Sequence, residues 1–290
     1  MNSTERHRQR LERRLMPEAR QILALQGREI AAALEDRGEA SALRIAGDPM
    51  YAFELMVMIW GAVAPPFASA TYEALRPAKD FGDTDWLQFV IHFLETKGHV
   101  SVYATTDYTQ KLVREAMQAG VDAGLDARSI ARKLREEWPA ISRMRAERIV
   151  RTEVVSASNW GTYQGADAIA REFGIEMEKE WNATSDGRTR EDHADMHGET
   201  VAMDGQFIVG GEPADYPGDP SLSAAQRIQC RCAIAFIPVT RKSWRAERND
   251  RIKRDYPVLR DQWGQVQALE ELAARENISA RQVKRIMWED

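Results

Sequence analysis

Hydrophobic and polar positions alternate along this chain with a helical period over most of its length and with a strand period in one internal stretch. From Glu5 to Gly38, Leu11, Leu15, Ile22, Leu25, Glu29 and Ala32 trace one approximate face among many arginines, which predicts a basic amphipathic helix. Such a helix either docks on the rest of the protein or meets an acidic partner or nucleic acid. The run Met50 to Val63 is apolar throughout apart from Glu54 and stops at Pro65-Pro66, short of the roughly 20 residues that cross a bilayer, so a core helix is expected. A second apolar segment, DTDWLQFVIHFLETKG, starts at an Asp83 or Thr84 cap, and its His92 is expected to pack in the core.

Beyond Gly98 the punctuation is clear. A helix around Thr106 to Ala119 ends at Gly120 and Gly124, and Asp126 caps a second that runs to Pro139, with Ile130, Leu134 and Trp138 on its buried face. Ser142 then opens a long helix in which Thr152, Ser156 and Asn159 form a polar stripe, read as a hydrogen-bonded packing seam or a catalytic edge. After Gly174 the period shortens: Ile175, Met177, Trp181 and Ala183 alternate with polar neighbours, Lys179 being the exception on their face. TREDHADMHG predicts a helix of about two turns with Thr189 as cap and Gly198 as stop. Asp204-Gly205 predicts a hairpin, and IQCRCAIAFIPV an interior strand. The tail from Thr240 is charged and helical, broken at Pro257. It closes on a capping box, Ser279 to Gln282, that opens a second helix bearing Arg281, Lys284 and Arg285. Two short helices around a turn also fit a DNA-reading unit.

Composition narrows the classes. With 43% hydrophobic and 29% charged residues and a formal net charge of −5, the 290-residue chain reads as a folded protein without a global basic field. The N-terminus carries positive charge but no apolar core, so a secretory signal is not expected and a cytoplasmic setting is. Both cysteines and two of the five histidines fall between Lys179 and Ile234. Cys230 and Cys232 are too close in sequence for an unstrained mutual disulfide, which leaves free thiols or metal ligands.

On a short helix, His193 and His197 share a face; on a strand, Cys230 and Cys232 do, with Arg231 pointing away. Two imidazoles and two thiolates suit a structural tetrahedral zinc. An unmetallated packed His/Cys cluster and a catalytic metal site are the other readings. Ala194 stands where a zinc protease helix carries its general base, which argues against a protease. Asp186, Asp192 and His193 could instead hold a hard cation in a hydrolase or nuclease.

The runs AERIVRTEVVSASNWGTYQGA, KEWNATSDGRTREDHADMHGETV, YPGDPS and IQCRC resemble the phage Mu F-like minor head proteins, also called head morphogenesis proteins. The resemblance spans about Thr105 to Pro238. It rests on Arg151, Thr152, Glu153 and Asn159 of the long helix, on Asp186, Arg188, Thr189, Arg190 and His193, and on Cys230-Arg231-Cys232. Some relatives carry a Cys-x-x-Cys pair ahead of the C-R-C. This sequence resembles the branch with a single histidine, His193, in which an aspartate or asparagine often stands at the position of His197.

The resemblance implies a non-enzymatic minor capsid protein of a tailed phage or prophage, incorporated in the procapsid and associated with the portal. It implies portal and scaffold partners, contact with packaged DNA during packaging or ejection, and a place in the virion, in the capsid interior or portal region, after assembly in the host cytoplasm. The expected class is α+β, with a helical region at 1–104, a module holding the His/Cys cluster at 105–239 and a charged helical tail at 240–290.

Overall fold

The computed structural model describes residues 3–75, 90, 92–94, 96–239, 244–276 and 278–288. The cap expected at Asp83 or Thr84 lies outside them. Helix α1 spans Ser3–Arg37, α2 Glu39–Ala46, α3 Met50–Leu75, α4 His99–Asp122 and α5 Ala127–Phe173. The module continues with β1 Met177–Asn182, α6 Glu191–Asp195, β2 Glu199–Ala202, β3 Phe207–Val209, β4 Glu212–Ala214, α7 Ala224–Arg227 and β5 Ala233–Pro238. The tail holds α8 Trp244–Trp263, α9 Gln265–Glu276 and α10 Ala280–Trp288. Helices thus flank a small sheet module on both sides in sequence, and the class is α+β.

The 47-residue α5 is the axis of the molecule. Asp126 caps it, its carboxylate accepting from the Ser129 N–H at 2.7 Å, and Gly174 ends it in the left-handed region at φ 62°. Pro139 does not divide it, contrary to the sequence expectation. Nor do Pro65 and Pro66 stop α3, or Pro257 break α8. Pro66, Pro139 and Pro257 face solvent and Pro65 is half-buried, so the carbonyls they strand can reach water while the opposite face stays packed.

Helices α3 and α5 pack closely along their small residues. A Cβ on Gly161 would lie 2.3 Å from the Ala64 carbonyl oxygen, and one on Gly165 equally close to that of Ala68. Leu55, Met56, Ile59, Trp60 and Val63 are wholly buried, which makes α3 a core helix although 39–75 is long and apolar enough to cross a bilayer. One apolar core runs from Leu11 of α1 through α3 and α5 to Cys232 and Ile234. The boundary expected at 104/105 falls inside α4. Two further corrections concern side chains. Leu25 and Glu29 face outward, the buried stripe of α1 following Leu11, Leu15, Ala19, Ile22 and Leu23 instead. His92 is exposed, because Val90, Phe93 and Leu94 take the inward positions.

The sheet has the antiparallel order β2-β1-β5. The strand expected in the interior, β5, is therefore at an edge, and the half-polar β1 is central. Lys179 explains how β1 tolerates this: its stem is buried and its ammonium donates to the Asp215 carbonyl at 2.9 Å, with the Tyr163 ring 5.0 Å away. Burial pushes its pKa down. Asp204-Gly205 does not make a hairpin, since β2 and β3 belong to different sheets. The hairpin is β3–β4, turning on Gly210 and Gly211 at φ 56° and 84°, as a two-residue loop of that handedness requires. The tail has a core of its own, built on Ile252, Tyr256, Leu272 and Val283.

Candidate metal centre

Three donors converge in the module. His193 Nδ1 lies 3.4 Å from Cys232 Sγ and 3.6 Å from Cys230 Sγ, and all three ligand atoms fall within 4.8 Å of one another. All three residues are buried, and both cysteines are free thiols. The local structure differs from the expectation. Cys230 and Cys232 precede β5 instead of lying on it, in a turn where the Cys230 N–H bonds to the Arg227 carbonyl. Helix α6 has only five residues with Arg190 at its N-cap, while the Thr189 hydroxyl bonds back to the Thr184 carbonyl. His197 follows the helix end, where the chain turns through Gly198 at φ 74° into β2, and stays outside the cluster. Its Nδ1 is buried with no hydrogen-bond partner among the described residues.

The two sulfurs share charge unequally. Hydrogen-bonded to Cys232 and buried, the Cys230 thiol is pushed up, whereas Cys232, accepting from Cys230, is drawn down. The cationic complement is Arg8, which sequence reading missed. It is buried on α1, with Nε donating to Ser158 at 2.7 Å and Nη2 to Asn159 at 2.6 Å, and Nη1 reaching the Cys232 carbonyl at 3.2 Å. Burial pushes its pKa down, offset in part by the surrounding Cys230, Glu5, Cys232 and Glu12. The signal was available: Arg8 stands three residues before Leu11 and seven before Leu15, on the apolar face.

Donor chemistry and spacing fit three corners of a zinc tetrahedron. Bond lengths of about 2.0–2.3 Å place neighbouring ligands roughly 3.5–3.8 Å apart, which the imidazole–sulfur distances match. Bound there by His193, Cys230 and Cys232, a zinc ion would cross-link α6 to the approach to β5.

The remaining motif residues are held by partners in the module and in the helices around it. Glu153 is buried and takes Arg227 at 2.5 Å and the Trp60 indole N–H at 3.0 Å. Thr152 accepts the Gln229 N–H at 3.2 Å, at the one described non-glycine residue with positive φ, 56°. Asn159 donates to the Pro217 and Cys232 carbonyls at 2.7 and 3.0 Å and accepts from Arg8 and the Ile234 N–H. Ser156 donates to the Gly218 carbonyl at 2.6 Å, so the polar stripe is a packing seam. Asp186 receives both Arg231 nitrogens at 2.6 Å and the Arg188 N–H at 2.9 Å; these hold its carboxyl far below the ordinary range. Arg190 donates to the Ile228 carbonyl, and Arg151, half-exposed, pairs with Glu147 at 2.7 Å.

Asp192 bonds to Gln226 and does not converge with Asp186. In the tail, Arg281 pairs with Asp195 at 2.7 Å, Arg285 with Glu199, and Gln282 caps the carbonyls of Asp195 and His197. Among the three basic residues nominated on α10, Lys284 is the exposed one for which the structure gives no ion pair.

Known proteins are similar to part of this chain. Residues 111–235 match the family model for Phage Mu protein F like protein. The chain is similar to the NAD(+)--arginine ADP-ribosyltransferase EFV of Enterococcus faecalis, 33% identical over 47% of this chain and 27% of that protein. It is also similar to the Minor head protein GP7 of Bacillus phage SPP1, 29% identical over 42% of this chain and 39% of that protein. Uncharacterized protein YqbB of Bacillus subtilis is 26% identical over 44% of the chain and 42% of its own length. The chain thus spans less than half the length of each of these relatives. No solved structure matches it. Over residues 111–235, the chain is thus similar to the Phage Mu protein F like family.

Proposed function

We propose that the chain is a non-enzymatic minor head protein of a tailed phage or prophage that joins the procapsid near the portal. The observation that carries this reading is the commitment of the module's motif residues to structural hydrogen bonds. Glu153, Asn159, Asp186 and Arg231 are engaged by buried or bidentate partners in the module and in the helices packed on it, which is how a rigid building block uses polar groups. Likeness to a minor head protein over this same kind of segment supports it. The transferase activity named for the enterococcal relative belongs to that protein, of which this chain matches 27%.

In this reading the zinc of His193, Cys230 and Cys232 is structural, and portal and scaffold contacts fall to the surfaces of the flanking helices. DNA contact falls to the exposed arginines of α1, Arg10, Arg13, Arg14 and Arg20, better than to α10, whose Arg281 and Arg285 are engaged by the module.

Co-expression with portal, scaffold and major capsid proteins tests the proposal. Procapsids should incorporate the chain in a few copies. A metal-dependent nuclease or hydrolase turnover that disappears in Asp192→Ala would overturn it.

A further inference from the structure

The hydrogen bonds behind His193 have a polarity that chemistry alone determines. Asp192 Oδ2 lies 2.7 Å from the Gln226 amide nitrogen, and a carboxylate can only accept, so the Gln226 NH2 donates there. The other end of the amide, Oε1, lies 3.0 Å from His193 Nε2 and can only accept. Nε2 therefore carries a proton. The opposite nitrogen, Nδ1, is the one that faces Cys232 and Cys230 at 3.4 and 3.6 Å. The reverse orientation of the amide would set an oxygen against a carboxylate.

The surroundings hold this relay in place. Gln226 and His193 are buried, at 8% and 1% exposure. Gly210 of the β3–β4 turn closes over them: a Cβ there would come within 2.2 Å of Gln226 Nε2 and 2.7 Å of Asp192 Oδ2. Trp181 meets the His193 ring edge-on at 5.5 Å, which fixes its plane.

We propose that Asp192 and Gln226 are positioning residues that fix His193 as the Nε2-protonated tautomer and so present the Nδ1 lone pair to the two sulfurs as a metal ligand. This rests on the structural zinc reading for its purpose, but the tautomer stands on the hydrogen-bond geometry. It reassigns Asp192 from a candidate hard-cation ligand to a residue acting through Gln226. Carboxylates and amides in this position orient ligating histidines and raise their basicity.

Asp192→Asn lifts the constraint that holds the relay, because an asparagine offers an NH2 as well as an oxygen to Gln226 and so lets the amide turn its own NH2 toward Nε2. Zinc affinity of the full chain, measured by competition with a chromophoric chelator, should fall roughly 10–100-fold. The double variant Asp192→Asn, Gln226→Glu restores an acceptor at Nε2 and should recover most of that loss. Nitrogen-15 spectra of histidine-labelled, metal-free protein should show His193 protonated at Nε2 in the native chain and a new population protonated at Nδ1 in Asp192→Asn. A native chain with Nδ1 protonated and Nε2 bare, or an Asp192→Asn chain with unchanged tautomer and affinity, would overturn the relay. Failure of the native chain to bind zinc at all, with the tautomers as stated, would overturn the metal reading and leave the relay standing.

Discussion

Asn159 joins three parts of the main body. From the middle of α5 it ties the Pro217 loop, the Cys232 carbonyl, the Ile234 N–H and Arg8 of α1 together. Asn159→Ala would leave several of these groups buried without partners, and each such group costs on the order of 1–3 kcal/mol. Urea unfolding should show a loss of about 3 kcal/mol or more.

The pair Asp186–Arg231 gives a pH signature. Its carboxyl is held far below the ordinary range by Arg231 first and then by the Arg188 N–H. A depressed carboxyl stabilises the fold fully above its unfolded pKa and loses that contribution as pH falls toward its folded value. Asp186→Asn should therefore unfold at a lower temperature than the native chain at pH 7, and the gap should narrow as pH drops below about 4. At this scale the sequence was partly legible. His193, Cys230 and Cys232 could be grouped by residue type and spacing. His197 could not be set apart, since its exclusion depends on where α6 stops, and Gln226 and Arg8 gave only the weak signal of polar residues among apolar ones.

Helices here are continuous where the prolines suggest breaks. Local chemistry weighs Pro65, Pro66, Pro139 and Pro257 as terminators, but each sits away from the buried stripe, and the packing of the opposite face outweighs the missing hydrogen bonds. Alternation located β1 correctly and identified Lys179 as its odd member. It could not order the strands, because order depends on contacts far apart in sequence such as Trp181 with both Glu199 and Ile234. The turn at Gly210-Gly211 competed with Asp204-Gly205 as a hairpin signal and won because β2 pairs with β1. The close approach of α3 and α5 is the clearest element-level constraint. Gly161→Ala would drive a methyl group into the Ala64 carbonyl, a backbone atom that cannot step aside. Its cost should be about 3 kcal/mol by thermal or urea unfolding, more than Gly→Ala would cost at the open Gly187.

Across the whole molecule, the largest core joins α1, α3, α5 and the module, and the tail adds a core of its own that meets the module through polar contacts of α10. The class was legible from the change of period after Gly174. The role of α1 was legible in outline: docking on the rest of the protein was one of its two expected roles, and it docks by sending Arg8 into the module, where it completes the surroundings of the C-R-C turn. The His193, Cys230, Cys232 site lies where these parts meet, and a metal there would stabilise all of them at once by binding only the folded chain.

The most direct test is thermal unfolding of the full chain as purified, after removal of zinc by a chelator, and after one equivalent of zinc is restored. The account predicts a midpoint that falls on removal and returns on restoration, with Cys232→Ser unfolding at the lower temperature whether or not zinc is present. An identical midpoint in all three states of the native chain would contradict it.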